Sequence, residues 1–181
     1  MKPMKFLVPA LVLALAAAGC ILVSGQFLVD FDLDDFDITT ESAVTREDVD
    51  LNTNSDYADH KEDLKSIVDM AVLGKLTNSG GTDVNVEVWM TPTATTHATP
   101  TDVTSDPNAK LLWGPFKVAA GTTKTVDWNE SAKLFSAAGK ATLLSEIKGD
   151  GQFTIYAIGD IGTYTIDVDN GVLALVLDFG K

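Results

Sequence analysis

Carboxylates dominate the reactive side chains of this chain, with 26 Asp and Glu against 13 Lys and Arg and a formal net charge of −13. Asp30, Asp32, Asp34, Asp35 and Asp37 fall in one short run, and their oxygens are the ligand type of calcium, a hard cation that collects six or more of them. The Asp-x-Asp-x-Asp spacing lacks the glycine that bends an EF-hand loop and the glutamate that closes it. In an extended strand the alternating carboxylates line one face in a row and do not converge on an ion. The expectation is a solvated face that also discourages edge pairing, with Asp30, Asp32 and Asp34 as weak calcium candidates and no cofactor required.

Other catalytic arrangements have less to work with. The chain has two histidines, His60 and His97, in separate segments without His-x-x-x-His spacing, so both are expected to be exposed and solvated rather than paired on a metal. There is no Gly-x-Ser-x-Gly elbow, no Ser-x-x-Lys pair and no Gly-rich phosphate loop after a strand. Paired carboxylates for glycoside cleavage are abundant in so acidic a chain, but abundance does not set the separation that the chemistry needs. The charge opposes binding to nucleic acid, which depends on Lys and Arg against phosphate.

Aromatic residues offer a binding alternative. Strand alternation puts Trp128 on the side of Val126, toward the core, whereas Trp89 shares a face with Asn85 and Glu87. Trp113 lies off the phase of Leu112, Phe116 and Val118. Trp89 and Trp113 are therefore the candidate binding surface, a platform for a glycan or a protein partner. The competing arrangement, favoured by direct connection, folds the Thr91–Asn108 loop back over both.

The elements that must position these residues read as strands, with period-two alternation between turn signals. Phe27, Val29, Phe31 and Leu33 alternate with Asp30 and Asp32. The phase flips at Asp34-Asp35, where a bulge would keep Phe36 and Ile38 on the same side. A strand is expected at Glu47–Leu51, a helical turn at Tyr57–Leu64, and a hairpin in which Val68, Met70, Val72 and Leu76 face inward and Asn78-Ser79-Gly80-Gly81 turns the chain into Val84–Met90. The Thr- and Pro-rich Thr91–Asn108 segment has no apolar period and is expected to be a long exposed loop. Strands follow at Lys110–Val118 and Thr122–Trp128, two short helices between Asn129 and Lys148, and a stop at Gly149-Asp150-Gly151. Phe153–Gly159, Tyr164–Asp169 and Val172–Phe179 form a closing meander. Asn170-Gly171 is its hairpin turn, and the last strand, apolar on both faces, is central or covered.

The first residues are of another kind. Lys2 and Lys5 precede an apolar run from Phe6 to Ala18, and Ala17-Ala18-Gly19 puts small residues before Cys20, the single cysteine. This resembles the signal and lipobox of bacterial lipoproteins. The resemblance covers the leader only and implies removal of residues 1–19, acylation of the Cys20 thiol, and anchoring of 20–181 through lipid, since several acyl chains hold far more firmly than one. Ile21 follows the cysteine instead of the Asp that resembles an inner-membrane retention signal, so the outer membrane is favoured over the inner. The alternative is an uncleaved anchor, because Phe6–Val23 just reaches the ~18 residues of a membrane span. With Cys20 spent on lipid, disulfides and thiolate metal sites are excluded.

These observations lead us to expect one lipid-anchored all-β domain, an antiparallel β-sandwich of about seven or eight strands with short helical insertions. Its layout is broadly similar to immunoglobulin-like and fibronectin-like modules and to the sandwich of late-embryogenesis-abundant proteins, a likeness that does not transfer function. The expected role is non-catalytic binding, adhesion or structure in the cell envelope. The alternatives are an enzyme or accessory module acting on envelope polysaccharide, and a calcium-stabilised surface module.

Overall fold

Short apolar alternations separated by Gly, Asn and Pro turns pair into two antiparallel sheets that bury their facing sides against each other. The structure, a computed structural model, describes residues 24–33, 35–39, 44–92, 94–159 and 164–180. Among them are β1 (Ser24–Asp32), β2 (Phe36–Thr39), β3 (Thr45–Asp50), β4 (Leu64–Asn78), β5 (Val84–Thr91), β6 (Lys110–Val118), β7 (Thr123–Val126), β8 (Gln152–Ile158) and β9 (Thr165–Gly180). The helices are α1 (Ser55–His60), α2 (Pro100–Ser105), α3 (Trp128–Ser131) and α4 (Ala137–Lys148). The first sheet runs β1-β9-β4-β7, with β2 also on β9, and the second runs β3-β8-β5-β6. This is the all-β sandwich that the alternation implies. No helix among the described residues is long and apolar enough to cross a membrane.

The bent first strand is present in two pieces. β1 and β2 pair successively with β9, Asp32 opposite Val172 and Phe36 opposite Val168, so Val29, Leu33 and Ile38 all reach the core. Asp30 and Asp32 are exposed on β1. No group of three or more His, Cys, Asp or Glu that could hold a metal occurs among the described residues, and Asp34 lies outside them.

Both expected hairpins need correction. β4 and β5 are consecutive but belong to different sheets, so the Asn78–Gly81 turn crosses between layers. The buried Asn78 side chain holds this crossing. Its Nδ2 donates to the carbonyls of Thr82 (2.8 Å) and Val118 (3.1 Å), and its Oδ1 accepts from the Gly80 amide at 2.9 Å. Nor does Asn170-Gly171 end a strand, because β9 runs through it. Asn170 has the positive φ of 53° that a type I′ turn needs, but here it bulges, its amide donating to Asp35 Oδ1 at 2.7 Å. Opposite, Gly74 takes φ of 151°, and a Cβ there would lie 3.4 Å from the Asp169 carbonyl oxygen. The two irregularities bend the long strands together, and the β4–β9 register shifts between Leu73 and Lys75. A further shift between Ile67 and Asp69 turns Val68, expected inward, to the surface at 49% exposure.

Where β2 meets β9, Asp37 stands directly opposite Asp167. Burial, followed by the repulsion and hydrogen bond of Asp37, raises the Asp167 pKa above the usual carboxylate value, and Asp169 adds to the shift. A carboxyl with a raised folded-state pKa favours folding below its unfolded pKa, and that contribution is lost as pH rises through the folded value. Asp167→Asn should therefore raise the melting temperature at about pH 7, by the equivalent of about 0.5 kcal/mol for directly opposed like charges. Thermal melts should show that gain disappearing at about pH 3, where the wild-type carboxyl is protonated.

Candidate functional site

The outer face of the second sheet carries the polar architecture. β5 and β8 present Trp89, Thr91, Thr154 and Tyr156 there, with Trp89 opposite Tyr156 and Thr91 opposite Thr154. The segment after β5, expected to be exposed, folds over this face. Within it, Thr99 and Asp102 form a reciprocal cap on α2, and Val103 and Ala109 are buried with Tyr156 beside Val44 and Trp89. Threonine and proline obscured the attachment, which rests on two small apolar side chains and on polar anchors. Tyr156 Oη donates to the Thr95 carbonyl at 2.7 Å and lies 3.0 Å from Thr91 Oγ1.

The tryptophans are correspondingly rearranged. Trp113 is 1% exposed, which removes it from any binding surface. Register shifts between Val86, Val88 and Trp89 opposite β6 turn its indole inward, stacked on Phe116 at 5.4 Å. Its Nε1 donates to Ser131 Oγ at 2.9 Å. Trp89 is half-buried at the edge of the folded-back segment, its Nε1 donating to Glu87 Oε2 at 2.8 Å. The two indoles therefore do not form a platform. Trp128, expected in the core, instead opens α3 half-exposed and donates to Asp69 Oδ2 at 2.7 Å.

The histidines are not free in solvent either. His60 stacks on Phe179 with ring centroids 4.4 Å apart. His97 has a side chain only 9% exposed, with Nε2 lying 3.3 Å from Asp106 Oδ2 and the ring set edge-on to Tyr156.

Beside the folded-back segment lies an open cleft of about 400 Å³. Its walls are the outward side of edge strand β3, the start of β8 and the residues following β5, including Asp48, Asp50, Asp150, Gln152, Pro92 and Ala94. Alternation puts Asp48 and Asp50 on one side of β3, and pairing sets them opposite Thr154 and Gln152. Thr154 Oγ1 donates to Asp48 Oδ1 at 2.6 Å, and Gln152 Nε2 donates to Asp50 Oδ2 at 3.1 Å. Arg46 pairs with Asp48 at 2.5 Å. Asn52 Nδ2 bridges Asp50 Oδ1 (2.7 Å) to the Asp150 carbonyl (2.8 Å), and Lys61 Nζ in turn donates to Asn52 Oδ1.

These donors determine the charge state of the cleft. The hydrogen bond from Thr154, with help from Arg46, lowers the Asp48 pKa. Asn52 does the same for Asp50, assisted by Gln152 and Lys61. Both carboxylates are thus ionised at neutral pH and act as acceptors. Pro92 and Ala94 contribute apolar surface to the same cleft. An ionised acceptor row beside apolar walls suits a ligand rich in hydroxyl or amino donors, and it does not supply a protonated carboxyl for acid catalysis.

The sandwich and its acidic cleft define the protein at the level of architecture. No family model and no curated protein matches the chain. Among solved structures it is similar to a chain of Turnip Yellow Mosaic Virus, with 11% identity, a TM-score of 0.29, and coverage of 87% of this chain and 94% of that one. It is also similar to a chain of Desmodium yellow mottle tymovirus, with 13% identity, a TM-score of 0.24 and coverage of 87% and 91%. For infectious bursal disease virus, Gx strain, the figures are 8%, 0.25, and coverage of 86% and 37%. Likeness at these scores bears on neither fold nor function.

Proposed function

We propose that the protein is a non-catalytic, lipid-anchored binding module of the cell envelope, with the Asp48–Asp50 cleft as its ligand site and a donor-rich glycan as the ligand class. The observation that carries this reading is the pair of β3 carboxylates, each held ionised by fixed neighbours in an open cleft of about 400 Å³. The anchor rests on the leader ending at Cys20, a residue outside those described, and the acidity would keep an anchored domain off an anionic surface. Screening the labelled protein against envelope glycans should find a ligand whose binding weakens about 10–100-fold in Asp48→Asn and Asp50→Asn, the range for losing a charged hydrogen-bond partner. Binding unaffected by both substitutions would remove the cleft from the proposal, and selective capture of a basic peptide would replace the glycan with a protein partner.

A further inference from the structure

The outer side of the first sheet carries the two exposed large hydrophobic residues among those described, Leu28 on β1 (52%) and Val68 on β4 (49%). They are not scattered. Val29, Leu175 and Met70 are buried toward the core, so alternation turns their neighbours outward. The register sets Leu28, Val176 and Asp69 in one row across β1, β9 and β4, and Asp32, Val172 and Leu73 in another. Val176, Val172 and Leu73 are half-buried, with Ala174 and Ala71 buried between the two rows. The bulge before Asp69 sets Val68 at the β4 margin. This is a contiguous apolar band, unlike the single apolar residues of any surface.

Carboxylates stand along its margins. Asp30 and Asp32 lie on β1, Asp69 on β4, and Asp178 in the row beyond Val176, between Gln26 and Ser66. At the other end, past Leu73, Lys75 is paired with Asp169 at 3.0 Å. Trp128 adds a half-exposed indole at the β4 margin, donating to Asp69, and aromatic side chains of this kind are enriched at interfaces. The charge of the rim decides among occupants. A second copy would bring the same carboxylates against themselves, and the phosphates of a lipid surface would meet them as like charges. A partner with Lys or Arg on both sides of an apolar stripe matches band and rim together. The dimensions suit a helix. Leu28 to Asp32 spans about 14 Å at ~3.4 Å per residue, the length of about nine helical residues, and three strands span about 10 Å, the width of one helix.

We propose that the outer face of the first sheet docks a basic amphipathic helix of a protein partner, its apolar stripe on the Leu28–Val176–Leu73 band and its cations against Asp30, Asp32, Asp69 and Asp178. This surface is on the other sheet from the Asp48–Asp50 cleft and does not depend on the function proposed for it. The probe is a labelled helical peptide with a leucine stripe flanked by lysines, and its control has the same composition scrambled to remove the stripe. Fluorescence anisotropy should show saturable binding of the striped peptide at least about tenfold tighter than of the scrambled one. Leu28→Thr combined with Val68→Thr leaves the net charge unchanged at exposed positions that a strand tolerates. It should weaken binding at least about tenfold with the wild-type circular dichroism spectrum retained. Asp30→Asn with Asp32→Asn should weaken binding at least about threefold more than Glu47→Gln with Asp56→Asn, which removes as much charge away from this face. Equal binding of the two peptides, or equal weakening by the two charge-removing pairs, would reduce the effect to net charge and overturn the proposal. Self-association in sedimentation velocity, or binding to vesicles of neutral and anionic phospholipid, that is lost in Leu28→Thr with Val68→Thr would overturn it in favour of a second copy or a lipid surface.

Discussion

Trp113→Ala should destabilise the protein by about 3–5 kcal/mol, the range for truncating a buried Trp. The indole is among the largest fully buried side chains and stacks on Phe116. Its Nε1 also donates to Ser131 Oγ, which accepts the Val72 amide at 2.7 Å, so truncation removes a partner from a buried polar node joining β4, β6 and α3. Trp89→Ala should cost less, about 1–2 kcal/mol, because its indole is only half-buried. Chemical denaturation of both variants provides the check. Equal and negligible costs would mean that both indoles are exposed, as the platform requires.

Cys20→Ala should abolish acylation altogether, as the lipobox resemblance implies, because the chain has no other cysteine. The variant should accumulate as precursor retaining the leader and lacking diacylglycerol, because the lipobox resemblance makes the thiol the acyl acceptor. Intact mass of the native protein is the readout. A native chain that begins at Met1 and carries no lipid would establish the uncleaved anchor instead.

The strands were legible in the sequence wherever alternation persisted, as at Val84, Val86, Val88 and Met90, all buried. Their partners were less legible. Asn78-Ser79-Gly80-Gly81 looks like a hairpin turn because turn chemistry is local, whereas the Asn78 bonds that send β5 to the other sheet reach Val118. Trp113 was misplaced because the shifts that invert its phase depend on β5 opposite. The cleft stayed hidden for a related reason. Asp48 and Thr154 are 106 residues apart, and the alternation that puts Asp48 beside Asp50 does not reveal which strand lies across from them. The fold-back of the segment after β5 was legible from its direct link between the strands that carry Trp89 and Trp113, but its attachment was not, because Val103 and Ala109 give too sparse an apolar pattern.

Occupancy of the cleft beside edge strand β3 is read by an amide chemical-shift map of the protein titrated with the glycan selected by screening. Saturable shifts should concentrate at Asp48, Asp50, Gln152, Thr154 and Ala94, with β1 and β7 on the opposite sheet unmoved. Shifts confined to the first sheet, or no saturable shift anywhere, would contradict it.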